Sequence, residues 1–160
     1  KAGNLLARAI VALRGADARS NLLHSLADGS YSRQVDDPRT PFDWLTRDQS
    51  EVDAFIADEA SGFMFSAGAY AALTDLAFRA ALPRTFAAVP HDLPVLFIAG
   101  DADPVGDAGR GVARAAQSME AAGVADVSLK LYEGMRHEIL NEIGREEVYQ
   151  DVLAWLDARL

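Results

Sequence analysis

The chain has 160 residues, half of them apolar and 24% charged, with a formal net charge of −9. That balance describes one ordinary globular domain rather than a disordered or membrane-embedded chain, and its average field repels polyanions, so nucleic acid is excluded as an expected partner. There are no cysteines, which excludes disulfides and thiolate metal sites; no stretch approaches the ~20 apolar residues of a membrane span and no signal peptide is visible, so a cytoplasmic location without stable membrane insertion is expected.

In the first part, Leu5, Leu6, Ala9, Ile10 and Leu13 recur at helical spacing, and Gly15 ends that helix. A second short helix is predicted over residues 19–27, with Leu22, Leu23 and Leu26 on one face and Asp28-Gly29 closing it. Residues 31–47 hold Asp36-Asp37-Pro38 and Thr40-Pro41 and read as loop. Asp48 then caps a helix that carries Val52, Phe55 and Ile56 inward, with Glu51 as its capping-box partner. Gly62-Phe63-Met64-Phe65 is an apolar link, and Ser66 caps a further helix.

The composition changes across residues 83–94, and two segments are expected, 1–88 and 89–160. Leu93-Pro94-Val95-Leu96-Phe97-Ile98-Ala99 is an almost unbroken apolar run of the kind found in strands buried on both faces of a parallel sheet. A polar turn follows over residues 100–107, then an amphipathic helix over 112–122 ended by Gly123. Residues 127–132 alternate as a strand, 134–141 read as loop, and 146–160 as a last helix with Val148, Val152, Leu153, Trp155 and Leu156 facing in. Strand, helix, strand, helix is the grammar of a parallel α/β sheet. Two strands make a poor sheet by themselves, and the expectation is that further strands of the same sheet lie outside this sequence.

In such sheets functional groups sit on the loops after the carboxyl ends of strands. One such loop carries Asp101, Asp103 and Asp107, and the other carries His137. If the two strands are neighbours, an aspartate and the histidine converge. The carboxylate would accept the imidazole Nδ1–H and leave the other nitrogen to act as a base. Aspartates in a turn also serve as plain helix caps, and His24 and His91 read as packing or surface residues. Glu138 and Glu142 read as partners in local hydrogen bonds. Three scattered histidines show no metal-ligand spacing, so no metal and no cofactor is expected.

The runs Leu-Pro-Val-Leu-Phe-Ile-Ala-Gly-Asp-Ala-Asp-Pro-Val-Gly from Leu93 and Leu-Tyr-Glu-Gly-Met-Arg-His-Glu-Ile-Leu-Asn-Glu from Leu131 resemble the monoacylglycerol lipase and lysophospholipase branch of the serine α/β-hydrolases. The resemblance implies an α/β fold, the C-terminal part of an α/β-hydrolase. Residues 1–88 would be its helical lid, most similar at Thr40-Pro-Phe-Asp-Trp-Leu-Thr-Arg-Asp, and 89–160 the end of its core. It implies Asp103 as the triad acid and His137 as the triad base, in the Ser…Asp…His order of that fold. It also implies a small lipid-like ester as substrate. Of the aromatics, Phe42, Trp44, Phe63 and Phe65 are the expected lid residues on an acyl chain, with Phe55 and Tyr70 equally able to form core.

The sequence departs from the family pattern in one respect. The nucleophile of this fold lies in a Gly-x-Ser-x-Gly elbow, and no such motif occurs here. Ser30, Ser32, Ser61 and Ser66 lack the paired glycines. The expectation is that the serine belongs to an N-terminal half of the same fold outside this chain, and that this chain alone is inactive. Two further readings stay open: the same fold with an aspartate nucleophile, acting on epoxides or haloalkanes, and a folding or interaction module without activity.

Overall fold

The computed structural model describes residues 2–160; Lys1, which opens the expected first segment, lies outside the described residues. Six helices come before any strand: α1 (Ala2–Arg14), α2 (Asn21–Leu26), α3 (Asp28–Ser32), α4 (Gln49–Ala57), α5 (Ala67–Ala80) and α6 (Pro83–Phe86). Then follow β1 (Val95–Gly100), α7 (Arg110–Ala121), β2 (Val127–Tyr132), a 3₁₀ turn (Ile139–Asn141) and α8 (Arg145–Asp157).

Helix ends follow local chemistry. Ser20 and Ser66 have extended backbone, and their side chains accept the amide protons of Leu23 and Ala69, a cap that stabilises a helix by about 1 kcal/mol. Asp48 caps α4 by accepting from the Ser50 amide. The expected capping box does not form there: the Asp48 amide donates to Thr46 Oγ1, and Glu51 instead receives Arg145 Nη1 at 3.1 Å. A charged partner brought close by the fold has displaced the weaker local bond. Asp28-Gly29 is also no terminus. The break falls one residue earlier, at Ala27 (φ −87°, ψ −92°), and a further helical turn, α3, begins at once.

The core of the helical part is Ala7, Leu23, Ala67 and Tyr70, with Leu6, Ile10, Val11, Ala27 and Ala71 packed around it. Asn4 ties α1 to α5 by donating to Ala71 O and Thr74 Oγ1, both at 2.9 Å. The buried stripe of α1 therefore runs through residues 6, 7, 10 and 11. Leu5 and Leu13, expected inward, are exposed, as are Leu22, Leu26 and Ile56. Apolar spacing marks a face on a helix, but the neighbouring helix decides which part of that face is covered.

β1 and β2 are parallel neighbours in register, with Val95 opposite Val127 and Gly100 opposite Tyr132. Among the described residues this is a two-stranded sheet, and the second edge of β1 has no paired strand. α7 leaves the sheet and returns the chain to it. Tyr132, Met135, Ile139 and Val148 form the second core cluster, with Ile98 against it. On α8, Val148 is fully buried and Trp155 Nε1 donates to Ser128 Oγ on β2 at 3.2 Å. Leu153 and Leu156, expected to face in, are exposed, and the helix stops at Asp157 rather than at the last residue.

Candidate active site

Both strand-end loops leave the same edge of the sheet, because parallel neighbours in register end together. Three hydrogen bonds sew the loops to one another. The Asp101 amide donates to Tyr132 O at 3.1 Å, the Ala102 amide to Met135 O at 3.0 Å, and the Gly134 amide to Asp101 Oδ1 at 2.6 Å. The approach is so close that Gly100 has no room for a side chain: a Cβ there would lie 2.0 Å from Met135 O. Gly134 turns the second loop with φ +69°, a conformation that L side chains rarely adopt.

This geometry brings Asp103 and His137 together. Asp103 Oδ2 lies 3.2 Å from His137 Nδ1, and Asp103 Oδ1 accepts the Val105 amide at 2.8 Å. The Asp103 side chain is 9% exposed, whereas 38% of the His137 side chain remains accessible. Burial pushes the Asp103 carboxyl upward. The hydrogen bonds from His137 and from the Val105 and Gly106 amides, with the attraction of the imidazole, outweigh it and hold the group below the usual carboxylate value. For His137 the Asp103 hydrogen bond is the largest influence and raises the imidazole above its ordinary value. Partial burial opposes this, and the charges of Asp103 and Glu138 add to it.

A carboxylate can only accept, so Nδ1 carries the hydrogen and Nε2 keeps its lone pair. A base so oriented can take a proton from a nucleophile and later return it to a leaving group.

The other two aspartates of the turn do different work. Asp101 holds the Gly134 amide, and Asp107 pairs with Arg110 and Arg114 on the surface, which brings its carboxyl down to about 2. Ser30 and Ser61 hydroxyls are spent on Ala27 O and Asp58 Oδ2, and Ser66 caps α5. Among the described residues no cluster of His, Asp or Glu could hold a metal ion, and no helix is long and apolar enough to cross a membrane.

Beside His137 stands Trp44, with ring centroids 5.2 Å apart and planes at 48°. Trp44 also lines an apolar cavity of about 170 Å³, together with Phe42, Phe55, Phe63, Phe65 and His24. The four aromatics expected to contact an acyl chain thus share one cavity, and one of them, Trp44, stands against His137. Tyr70 is instead buried in the helical core and packs against Phe65, with ring centroids 5.6 Å apart and planes at 51°. His24 was expected to be packing or surface only. It stands on the cavity wall with Nδ1 3.3 Å from the Tyr70 hydroxyl.

Glu142 is the residue that spacing could not reveal. It is fully buried, and four donors converge on it: the Arg47 and Arg136 amides on Oε1, and Arg47 Nε and the Ile143 amide on Oε2, all within 2.9–3.0 Å. Two of those bonds are local, but the two from Arg47 cross 95 residues of sequence. Around them, Arg136 Nη1 donates to Asp43 O, the Glu138 amide to Leu45 O, and Thr46 Oγ1 to Asn141 O. The segment 43–47 is thereby docked on the loop that carries His137.

The model of the serine aminopeptidase, S33 family matches residues 5–144. Among solved structures, a thermostable carboxyl esterase from Bacillus coagulans in complex with glycerol is similar over 97% of this chain and 51% of its own, with a TM-score of 0.87 at 23% identity. A lipase in its open form is similar over 96% of this chain and 50% of its own, with a TM-score of 0.85 at 25% identity. A monoacylglycerol lipase from Paleococcus ferrophilus is similar over 99% and 65%, with a TM-score of 0.61 at 19% identity. The chain thus spans about half the length of the first two structures it resembles, and the shared architecture is that of part of an α/β-hydrolase fold.

Proposed function

Since the chain belongs to the serine aminopeptidase, S33 family, we propose that it supplies the acid and the base of a serine hydrolase that cleaves a carboxylic ester, with a lipid-like monoacyl ester as substrate. The observation that carries this reading is the Asp103–His137 contact at 3.2 Å, placed where two parallel strands end. His137 Nε2 takes the proton of a serine hydroxyl as the hydroxyl attacks the ester carbonyl. The resulting imidazolium, steadied by Asp103, gives that proton to the leaving alcohol. Water then repeats the sequence and releases the acid. The serine is supplied from an elbow that these 160 residues do not contain.

Residues 1–88 act as the lid in this reading, and the aromatic cavity beside His137 takes the acyl chain. The cavity favours an ester over a peptide substrate. An aminopeptidase must hold a charged amino terminus, which calls for a carboxylate, and the cavity residues Phe42, Trp44, Phe55, Phe63, Phe65 and His24 offer none. The solved relatives described as esterase and lipases point the same way.

The test uses the complete protein that carries this chain. It should release p-nitrophenol from p-nitrophenyl butyrate, be silenced by a serine-directed phosphonate, and lose turnover on His137→Ala. Retention of full turnover by His137→Ala would overturn the assignment. Hydrolysis of aminoacyl p-nitroanilides in preference to acyl esters would overturn the substrate class.

A further inference from the structure

We propose that Glu142 is a positioning residue for His137, acting by locking the 43–47 segment and the histidine-bearing loop into one unit. The inference rests on the reading of His137 as the base.

Among the described residues His137 has one side-chain hydrogen bond, from Nδ1 to Asp103. Its backbone is fixed from both sides. The amide of the preceding residue, Arg136, donates to Glu142 Oε1 at 2.9 Å, and the amide of the following residue, Glu138, donates to Leu45 O at 2.7 Å. Glu142 Oε1 also receives the Arg47 amide, and Oε2 receives Arg47 Nε. A single carboxylate thus grips the histidine loop and the segment whose Trp44 ring lies against the imidazole. A carboxylate offers about four acceptor sites, and here four donors fill them. Glutamine cannot imitate this arrangement, because either orientation of its amide aims an NH₂ group at two N–H donors.

The arrangement has a functional consequence. A change in the position of residues 43–47 is passed to His137 through the buried Glu142 carboxylate and, beside it, through the Glu138–Leu45 and Arg136–Asp43 bonds, rather than through a flexible joint. Both the acyl-cavity wall at Trp44 and the base are then set by the same anchor.

The experiment compares Glu142→Gln, Arg47→Met, the double variant and His137→Ala in the complete protein, on p-nitrophenyl butyrate across pH. Glu142→Gln should lower kcat about 10–100-fold with a much smaller change in KM, because misplacement of a catalytic group by a fraction of an ångström acts on the transition state. The acid limb of kcat/KM should move to lower pH as the Asp103 bond to His137 loosens. Arg47→Met removes one of the four donors, and its partly exposed side chain makes it the milder change; it should shift both readouts in the same direction. It carries the test if Glu142→Gln does not fold. The double variant should lose no more activity than Glu142→Gln alone, since both act through one contact. Variants that melt earlier but keep the wild-type kcat and acid limb would overturn the proposal while His137→Ala is inactive. An active His137→Ala would instead overturn the functional reading beneath it.

Discussion

Asp103 and His137 meet at 3.2 Å across 34 residues of sequence, and the backbone accounts for the meeting before any side chain is considered. Gly100 and Tyr132 are opposite each other as the last residues of parallel neighbours. Each loop then has only a few residues in which to place its group. The three cross-loop hydrogen bonds leave little freedom in that placement. The pair is therefore held ready, the acid buried and the base partly open.

Removing the base should do more harm than blunting the acid. In the complete protein, His137→Ala should reduce kcat to near background, because nothing else moves the proton. Asp103→Asn should cost about 10⁴ in kcat, as the related change does in a serine protease, by favouring the wrong tautomer. Asp101→Asn is the control: its amide oxygen can still accept the Gly134 amide, so it should cost far less. If Asp101→Asn proves as damaging as Asp103→Asn, the acid has been misassigned. KM should change little in all three, since in the proposed reading the aromatic cavity, not the triad, holds the acyl chain.

The pH dependence follows from the directions of the two shifts. In the proposed mechanism the deprotonated imidazole is the active form, and His137 is raised above its ordinary value of 6.5, first by the Asp103 hydrogen bond. The acid limb of kcat/KM should therefore lie above pH 6.5 and fall toward it in Asp103→Asn. Stability obeys linkage. The raised His137 contributes in full below 6.5 and loses its contribution as pH rises through its folded value. The lowered Asp103 contributes above 3.8 and loses its contribution as pH falls through its folded value. The pair should stabilise the fold most between those ordinary values. A plot of Tm against pH for wild type minus Asp103→Asn should peak in that window; a flat difference would count against the pair.

The 160 residues expressed by themselves should not turn over p-nitrophenyl butyrate above the rate of free imidazole. They hold Asp103 and His137, the proposed acid and base, but no Gly-x-Ser-x-Gly elbow, and an imidazole with no nucleophile to activate is only a weak catalyst. Phosphonate-sensitive turnover by this chain would mean that one of its own serines serves, against the caps and turns in which Ser30, Ser61 and Ser66 are engaged.

The cavity should grade substrates by acyl length. Phe42 packs on Phe55 with centroids 5.1 Å apart, and both line the cavity. Phe42→Ala should raise KM for hexanoyl esters about tenfold, through lost apolar contact worth ~1–2 kcal/mol, and leave acetyl esters almost unchanged. An equal effect on both esters would place the acyl chain elsewhere.

Local signals carried the elements furthest. β2 occupies the residues where alternation predicts it, and Ser66, Gly15 and Gly123 start or stop helices where their own chemistry predicts it. The meeting of an aspartate with His137 was legible because parallel strands end together, and choosing Asp103 from among three aspartates took the family resemblance as well. What could not be read depends on partners distant in sequence. α5 decides which stripe of α1 is buried, and Arg145 draws Glu51 away from its capping box. Glu142 reads as a partner in local hydrogen bonds, and two of its bonds are local, but its burial against Arg47, 95 residues away, has no sign in the sequence.

Gly100→Ala should disable the site without touching a catalytic group. A Cβ at residue 100 would lie 2.0 Å from Met135 O, 2.4 Å from Met135 C and 2.5 Å from Arg136 O. All three are backbone atoms, so no side-chain rotation relieves the clash. One strand-end loop must retreat from the other. The Ala102 amide then loses Met135 O as acceptor, and His137, two residues beyond Met135, moves away from Asp103. The overpacking should cost about 1–3 kcal/mol of stability, read as a lower Tm, and kcat should fall at least tenfold with the acid limb shifted down. Gly3→Ala is the matching control, because Gly3 lies in α1 with nothing within 4 Å of its would-be Cβ. Alanine there, in the first turn of the helix, should change Tm little and leave kcat unchanged. If Gly100→Ala keeps wild-type kcat and pH profile, the two loops are not locked together as the 3.0 Å Ala102–Met135 bond implies.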